Sequence, residues 1–143
     1  DEWGYRKVDH PEIHQRLVER LNRKVLDRAA EISHCESYFI EDCQVAVVAY
    51  GFTARSALAA VKRLRREGTK VGMLRLQTIW PAPGQAIEEL SGRVKCLLAP
   101  AMNLGQLGFY LRQYARCPVR DVSQTNGRVI EPETIYRAAK ELL

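Results

Sequence analysis

The segment Gln44 to Tyr50, Q-V-A-V-V-A-Y, constrains the fold of this chain more than any other. It is a continuous apolar run of strand length, the pattern of a strand covered on both faces. Gly51 breaks it, and Thr53 is placed to cap a helix running through Arg66, with Ala57, Leu58, Val61 and Leu64 facing inward. Gly68 then stops the helix, because glycine accepts the left-handed conformation at a helix end without a Cβ penalty.

The unit repeats. Lys70 to Leu76 reads as a second strand, and Pro83 opens a short helix through about Leu90. Val94 to Ala99 is a third strand, and a helix over about Leu104 to Ala115 follows it. Pro118 to Val122 is a fourth strand, and Pro132 opens a last helix with Ile135, Ala138, Ala139 and Leu142 on its apolar face. A short strand at Tyr38 to Ile40 is expected at one edge. Strands alternating with helices of this size imply an α/β fold of three layers, α/β/α, around a mostly parallel sheet of about five strands.

The head of the chain follows another pattern. Pro11 to about Ser33 reads as one long helix, capped by Asp9 or His10. Ile13, Leu17, Leu21, Val25 and Ile32 form its apolar stripe. Because it precedes the repeating pattern, residues 1–35 are expected to be a connector and helix, and residues 36–143 the α/β domain. The chain begins at Asp1 without a signal-peptide pattern or an initiator methionine, as expected of a piece of a longer protein.

The bulk properties exclude several classes. A chain of 143 residues with 46% hydrophobic and 27% charged residues suits one globular core. No apolar run approaches the roughly 20 residues needed to cross a bilayer, so no membrane partner is expected, and the cytoplasm is the expected compartment. The net charge is +5 and the sequence pI about 9.2. The densest basic run, Lys62 to Arg66, ends a helix, where cations favour the negative dipole end. Without interleaved aromatic residues it reads as a solvated face, and no nucleic-acid partner is expected.

Metal and nucleophile chemistry is sparse. Cys35, Cys43, Cys96 and Cys117 form no C-x-x-C pair. His10 precedes Pro11 and is biased away from helix, which spoils a shared face with His14, and His34 stands apart. No metal site and no catalytic residue is expected. In a parallel sheet, ligands gather at the carboxyl ends of strands, and three loops lie there. Gly51, Thr53 and Arg55 form a strand–glycine–helix turn able to hold an anion. Trp80 stands between Thr78 and two prolines, Pro81 and Pro83, and suits an interface more than a substrate platform. Met102, Asn103, Gly105 and Gln106 form the third loop, with Asn103 a natural helix cap.

These loops carry a resemblance. Ala49 to Arg55, A-Y-G-F-T-A-R, resembles the A-Y-G-(S/T)-T-A-R turn of 2-oxoacid:ferredoxin oxidoreductase alpha subunits, particularly the 2-oxoglutarate type. Gly72 to Pro81 is similar to their G-x-L-R-x-x-T-(I/L)-W-P strand and loop, and Met102 to Gln106 to their M-N-L-G-Q. Gly127 followed by Pro132-Glu133-Thr134-Ile135 resembles their closing segment, and Asp1-Glu2-x-Gly4 the stretch before the connecting helix. The motifs fall in family order across roughly residues 36–143. Phe52 stands where a small hydroxyl residue is usual, and Ala101 where glutamate is frequent.

The resemblance implies a transketolase C-terminal-like domain. It also implies a parent enzyme that converts a 2-oxoacid, expected to be 2-oxoglutarate, to acyl-CoA while reducing ferredoxin. Thiamine diphosphate with magnesium, iron–sulfur clusters and CoA would serve that parent. This segment carries neither the family's Gly-Asp-Gly motif nor ferredoxin-type cysteines, so its expected role is structural, with no cofactor of its own. Its expected partners are the other alpha-subunit domains and a beta subunit, with Trp80, Met102, Asn103, Gly105 and Gln106 as contacts. The alternative reading is an anion- or nucleotide-binding module, for CoA for example, built on Gly51, Thr53 and Asn103.

Overall fold

The computed structural model describes residues 1–143 except Glu2 and Val8. Glu2 belongs to the Asp-Glu-x-Gly stretch, so that motif lies partly outside the described residues. Five strands form one sheet: β1 (Cys35–Tyr38), β2 (Val45–Tyr50), β3 (Val71–Leu76), β4 (Cys96–Ala101) and β5 (Val119–Ser123). They stand in the order β1-β3-β2-β4-β5. The last four run parallel, and β1 lies antiparallel on the β3 edge, with Cys35 opposite Leu76 and Tyr38 opposite Met73.

Both faces of the sheet are covered, which is why β2 could be apolar at every position. One core holds Val47, Ala49, Met73 and Leu98 of the strands under helices α3 (Thr53–Arg66) and α6 (Pro132–Lys140). The other holds Ala46, Val48, Leu74, Leu97 and Ala99 under α4 (Gly84–Ser91) and α5 (Gln106–Leu111). Alternate residues of β2 point to opposite layers, as the two-residue period of a strand requires. This is the α/β/α architecture expected.

Several expectations need correction. The long helix from Pro11 to Ser33 is two helices, α1 (Pro11–Leu26) and α2 (Ala29–Ile32). The apolar stripe steps by four residues to Val25 and then jumps by seven to Ile32, and the break falls in that gap. There the N–H of Arg28 donates to the carbonyl of Val25, a tighter turn than the α-helix makes. The edge strand is Cys35–Tyr38, not Tyr38–Ile40, because Phe39 turns to φ 55° and ends it. Arg65 holds that turn, donating to the Phe39 carbonyl and pairing with Asp42 at 2.6 Å. Finally, Thr53 does not cap α3. Phe52 occupies the capping position, and Thr53 lies inside the first turn, 6% exposed.

Candidate functional site

The strand order reverses between β2 and β4, since β3 lies to one side of β2 and β4–β5 to the other. In open parallel sheets the crevice for ligands or partners lies at the carboxyl ends of the strands at such a point. Pro100 shapes it here. Proline has no N–H to give a ladder, and the pairing of β2 with β4 stops at Val47–Leu98, although β4 and β5 stay paired through Ala101–Ser123. At this end of the sheet Gly51-Phe52 follows β2 and Met102-Asn103 follows β4.

Each loop at this end has a distinct anchor. Gly51 takes φ 54°, which lets β2 turn directly into α3 and leaves Phe52 outward and 56% exposed. The guanidinium of Arg55 sits 5.4 Å from the Phe52 ring centroid, within cation–π range. Thus, of the three residues expected to hold an anion, Gly51 is at the turn, Thr53 is buried beneath it and Arg55 lies on Phe52. The bulk of Phe52 occupies the place where a small hydroxyl residue would stand.

The second loop is tied to the helical arm. Thr78 Oγ1 donates to the Ile32 carbonyl at 2.9 Å, and Ser33 Oγ donates to the Pro81 carbonyl at 2.8 Å. The N–H groups of Gln77 and Thr78 both donate to the His34 carbonyl. The Trp80–Pro81 peptide is cis, and Pro81 and Pro83 are buried while Trp80 projects, 54% exposed. The prolines are thus the anchors of this loop and the indole its presented group.

In the third loop, Asn103 Oδ1 accepts from the N–H groups of Gly105 and Gln106 at 2.9 and 3.1 Å. Asn103 therefore holds the turn into α5, although α5 is shorter than expected and Gly105, at φ 94°, takes the position immediately before it. Met102, Leu104 and Gln106 face outward, Leu104 being 81% exposed. Asp121 packs beneath this loop against Gly108, where any side chain would collide with its carboxylate, and pairs with Arg112.

The loops hold no acid–base or nucleophile constellation. Burial pushes the thiols of Cys35, Cys43, Cys96 and Cys117 up from the ordinary value, so they behave as apolar packing groups. Among the described residues no three His, Cys, Asp or Glu side chains gather as metal ligands. The donor set present does not fit an iron–sulfur cluster, which needs several converging thiolates. Ile79, Phe52 and Leu104 are presented here as well, and in a sequence such residues read as core.

Residues 43–135 match the family described as pyruvate:ferredoxin oxidoreductase core domain II. The chain belongs to the pyruvate:ferredoxin oxidoreductase core domain II family. It is similar to the 2-oxoglutarate synthase subunit KorA of Methanothermobacter thermautotrophicus, 35% identical over 137 residues, covering 94% of this chain and 36% of that protein. It is also 36% identical over 110 residues to the ketoisovalerate oxidoreductase subunit VorB of Methanothermobacter marburgensis, covering 75% of this chain and 31% of the relative. This core domain II chain thus spans about a third of the length of the curated relatives it matches. Its fold is that seen in a 2-oxoglutarate:ferredoxin oxidoreductase from Magnetococcus marinus, with a TM-score of 0.78 and 24% identity over 92% of this chain and 23% of that one. A split-gene transketolase, an inactive tetramer, shares the fold at a TM-score of 0.63 and 18% identity over 77% of this chain and 41% of that one.

Proposed function

We propose that this chain is the C-terminal structural and subunit-interface domain of a 2-oxoglutarate-type 2-oxoacid:ferredoxin oxidoreductase alpha subunit. Residues 1–35 serve as the connector and residues 36–143 as the transketolase C-terminal-like domain. The parent enzyme decarboxylates the 2-oxoacid oxidatively, passes electrons to ferredoxin and delivers the acyl group to CoA in the cytoplasm. Thiamine diphosphate with magnesium and iron–sulfur clusters supply the chemistry, held by other domains and a beta subunit.

The observation that carries this reading is the pairing of family membership with the character of the strand ends. Core domain II membership and the likeness to a 2-oxoglutarate synthase subunit support a role within an oxidoreductase. The loops where an α/β domain would keep its reactive groups instead present Phe52, Trp80, Met102 and Leu104. Exposed aromatic and methionine side chains of this kind are enriched where proteins meet. Asn103, Gly105 and Gln106 act with them by fixing the shape of the third loop.

The test uses the full-length polypeptide with its neighbouring subunits, supplied with thiamine diphosphate, magnesium and CoA. Reduction of ferredoxin is expected with 2-oxoglutarate in preference to pyruvate and 2-oxoisovalerate. No electron transfer from any 2-oxoacid would overturn the reading. Equal turnover of all three would remove the 2-oxoglutarate assignment alone.

A further inference from the structure

The chain has three asparagines, Asn22, Asn103 and Asn126, and each stands in a different setting. Asparagine is thermolabile because the backbone nitrogen of the next residue can attack its side-chain amide carbon. Three things govern that attack: whether the nitrogen is free, how bulky the next side chain is, and where the amide carbon is held. Asn22 lies inside helix α1, where its Nδ2 donates to the Val18 carbonyl at 2.9 Å and the helical ladder takes up the N–H of Arg23. Asn103 is folded back over its own turn, but Leu104 follows it, and that branched side chain crowds the nitrogen between them.

Asn126 differs from both. It lies exposed in the loop after β5, and Gly127 follows it with no side chain to shield the nitrogen. A Cβ on Gly127 would meet nothing within 4 Å, so the approach is open. Among the described residues no hydrogen bond takes up the Gly127 N–H. The N–H of Arg128 donates to Asn126 Oδ1 at 3.0 Å, the bond by which an asparagine folds its amide back over the main chain two residues on. The ring that this bond closes includes the Gly127 nitrogen, and the bond draws electron density away from the amide carbon. Asn103 shares the folded-back amide and lacks the glycine. Asn126 has both.

We propose that Asn126 is a site of spontaneous deamidation through a succinimide. The Gly127 nitrogen gives its proton to water or hydroxide and attacks Asn126 Cγ. The new N–Cγ bond forms, the Cγ–Nδ2 bond breaks, and Nδ2 takes up a proton and leaves as ammonia. Water then opens the five-membered ring. Cleavage at Cγ gives aspartate, and cleavage at the main-chain carbonyl gives isoaspartate, whose backbone runs through the former side chain. One water is consumed, one ammonia is released, and nothing is oxidised or reduced.

Either product adds one negative charge to a chain of net charge +5. Aspartate keeps an acceptor for the Arg128 N–H, whereas isoaspartate lengthens the main chain by a carbon and breaks the turn. The disturbance is confined. On one side the Gln124 N–H donates to the Ala101 carbonyl at 3.3 Å, and on the other Ile130 is fully buried. The altered loop marks the age of the polypeptide and leaves the core alone.

The test incubates the purified full-length chain at neutral and mildly alkaline pH, digests it at low pH so that digestion adds no product, and reads peptide masses. Isoaspartate is told from aspartate by enzymatic methylation of its carboxylate. Asn126 is expected to convert faster than Asn103 and Asn22 by an order of magnitude or more, faster at the higher pH, with isoaspartate among the products and the thermal midpoint unchanged. A synthetic peptide spanning residues 121–131 gives the rate without the fold, and the folded chain is expected to stay within an order of magnitude of it. Equal rates at the three asparagines, stronger protection by the fold than that, or aspartate without isoaspartate would each overturn the proposal. Asn126→Gln is expected to abolish the fast release of ammonia, and its persistence would place the reaction elsewhere. A fall in the thermal midpoint would overturn the confinement to the loop.

Discussion

The Arg63 guanidinium lies over the ring of Tyr136, 3.9 Å from its centroid, and joins helix α3 to helix α6. The Tyr136 hydroxyl donates to Glu67 at 2.7 Å and accepts from Lys140 at 2.8 Å, while Arg63 reaches Glu133 at 2.6 Å. Tyr136 is thus a buried ring with a polar rim, and it holds the last helix of the chain in place. Tyr136→Ala is expected to cost about 3–5 kcal/mol in urea unfolding, the range for a large aromatic cut to alanine. Tyr136→Phe keeps the ring under Arg63 and is expected to cost only a small part of that. Equal losses would show that the ring contributes little.

The same cluster predicts the acid response. The hydroxyl of Tyr136 holds Glu67 below its ordinary value of 4.5, and Arg137 and Arg63 do so for Glu133. Hydrogen bonds from Arg65 and from Tyr38 lower Asp42 and Glu36. A carboxylate whose folded pKa is depressed contributes stability above its unfolded value and loses it as pH falls through the folded one. The thermal midpoint is therefore expected to be flat down to about pH 4.5 and to fall below it. A midpoint that rises on acidification would contradict these pairings.

Two glycines separate space from conformation. A Cβ on Gly72 would meet the Phe39 carbonyl oxygen at 2.8 Å and Cys43 Sγ at 2.9 Å, whereas nothing lies within 4 Å of one on Gly68, whose φ is 80°. Gly72→Ala is expected to destabilise by about 1–3 kcal/mol through overpacking. Gly68→Ala is expected to cost about 1–2 kcal/mol through the left-handed backbone alone. Adding Cys43→Ala should recover part of the first loss and none of the second.

The bonds from Ser33 and Thr78 predict how the helical arm is held. A single hydrogen bond of this kind contributes about 0.5–1.5 kcal/mol. In the double variant Ser33→Ala, Thr78→Val, amide exchange at Gln77 and Thr78, whose N–H groups both reach His34, is expected to accelerate severalfold. Exchange in β2 is expected to stay unchanged. Acceleration throughout the sheet would mean that the arm supports the whole fold.

Trp80→Ala in the assembled enzyme is the direct test of the interface. An exposed indole at the centre of a contact commonly carries at least 2 kcal/mol of binding. Association is expected to weaken by more than tenfold, with the stability of the chain itself little changed. Unaltered assembly and turnover would remove Trp80 from the interface.

How much of this could be read beforehand depends on the kind of signal each residue leaves. β2 was plain because burial on both faces demands an unbroken apolar run. β1 was displaced because Cys35, Glu36 and Ser37 have no strand-like composition, and β1 exists by pairing with β3. Thr53 looked like a cap, but only the backbone reveals that the turn at Gly51 shifts the helix start and turns Thr53 inward. Trp80 and the Met102 loop stood out by residue type. Ile79 and Leu104 did not, and Phe52 did so only as a departure from the family's turn, because a lone apolar residue in a sequence does not say which way it faces.

Pro100 sets the reach of the central ladder. With no N–H at that position, β4 has no donor to carry its register with β2 past Val47–Leu98, whereas its register with β5 runs on to Ala101–Ser123. The turn into each following helix is therefore set by its own anchor, Gly51 after β2 and Asn103 after β4, and not by the ladder.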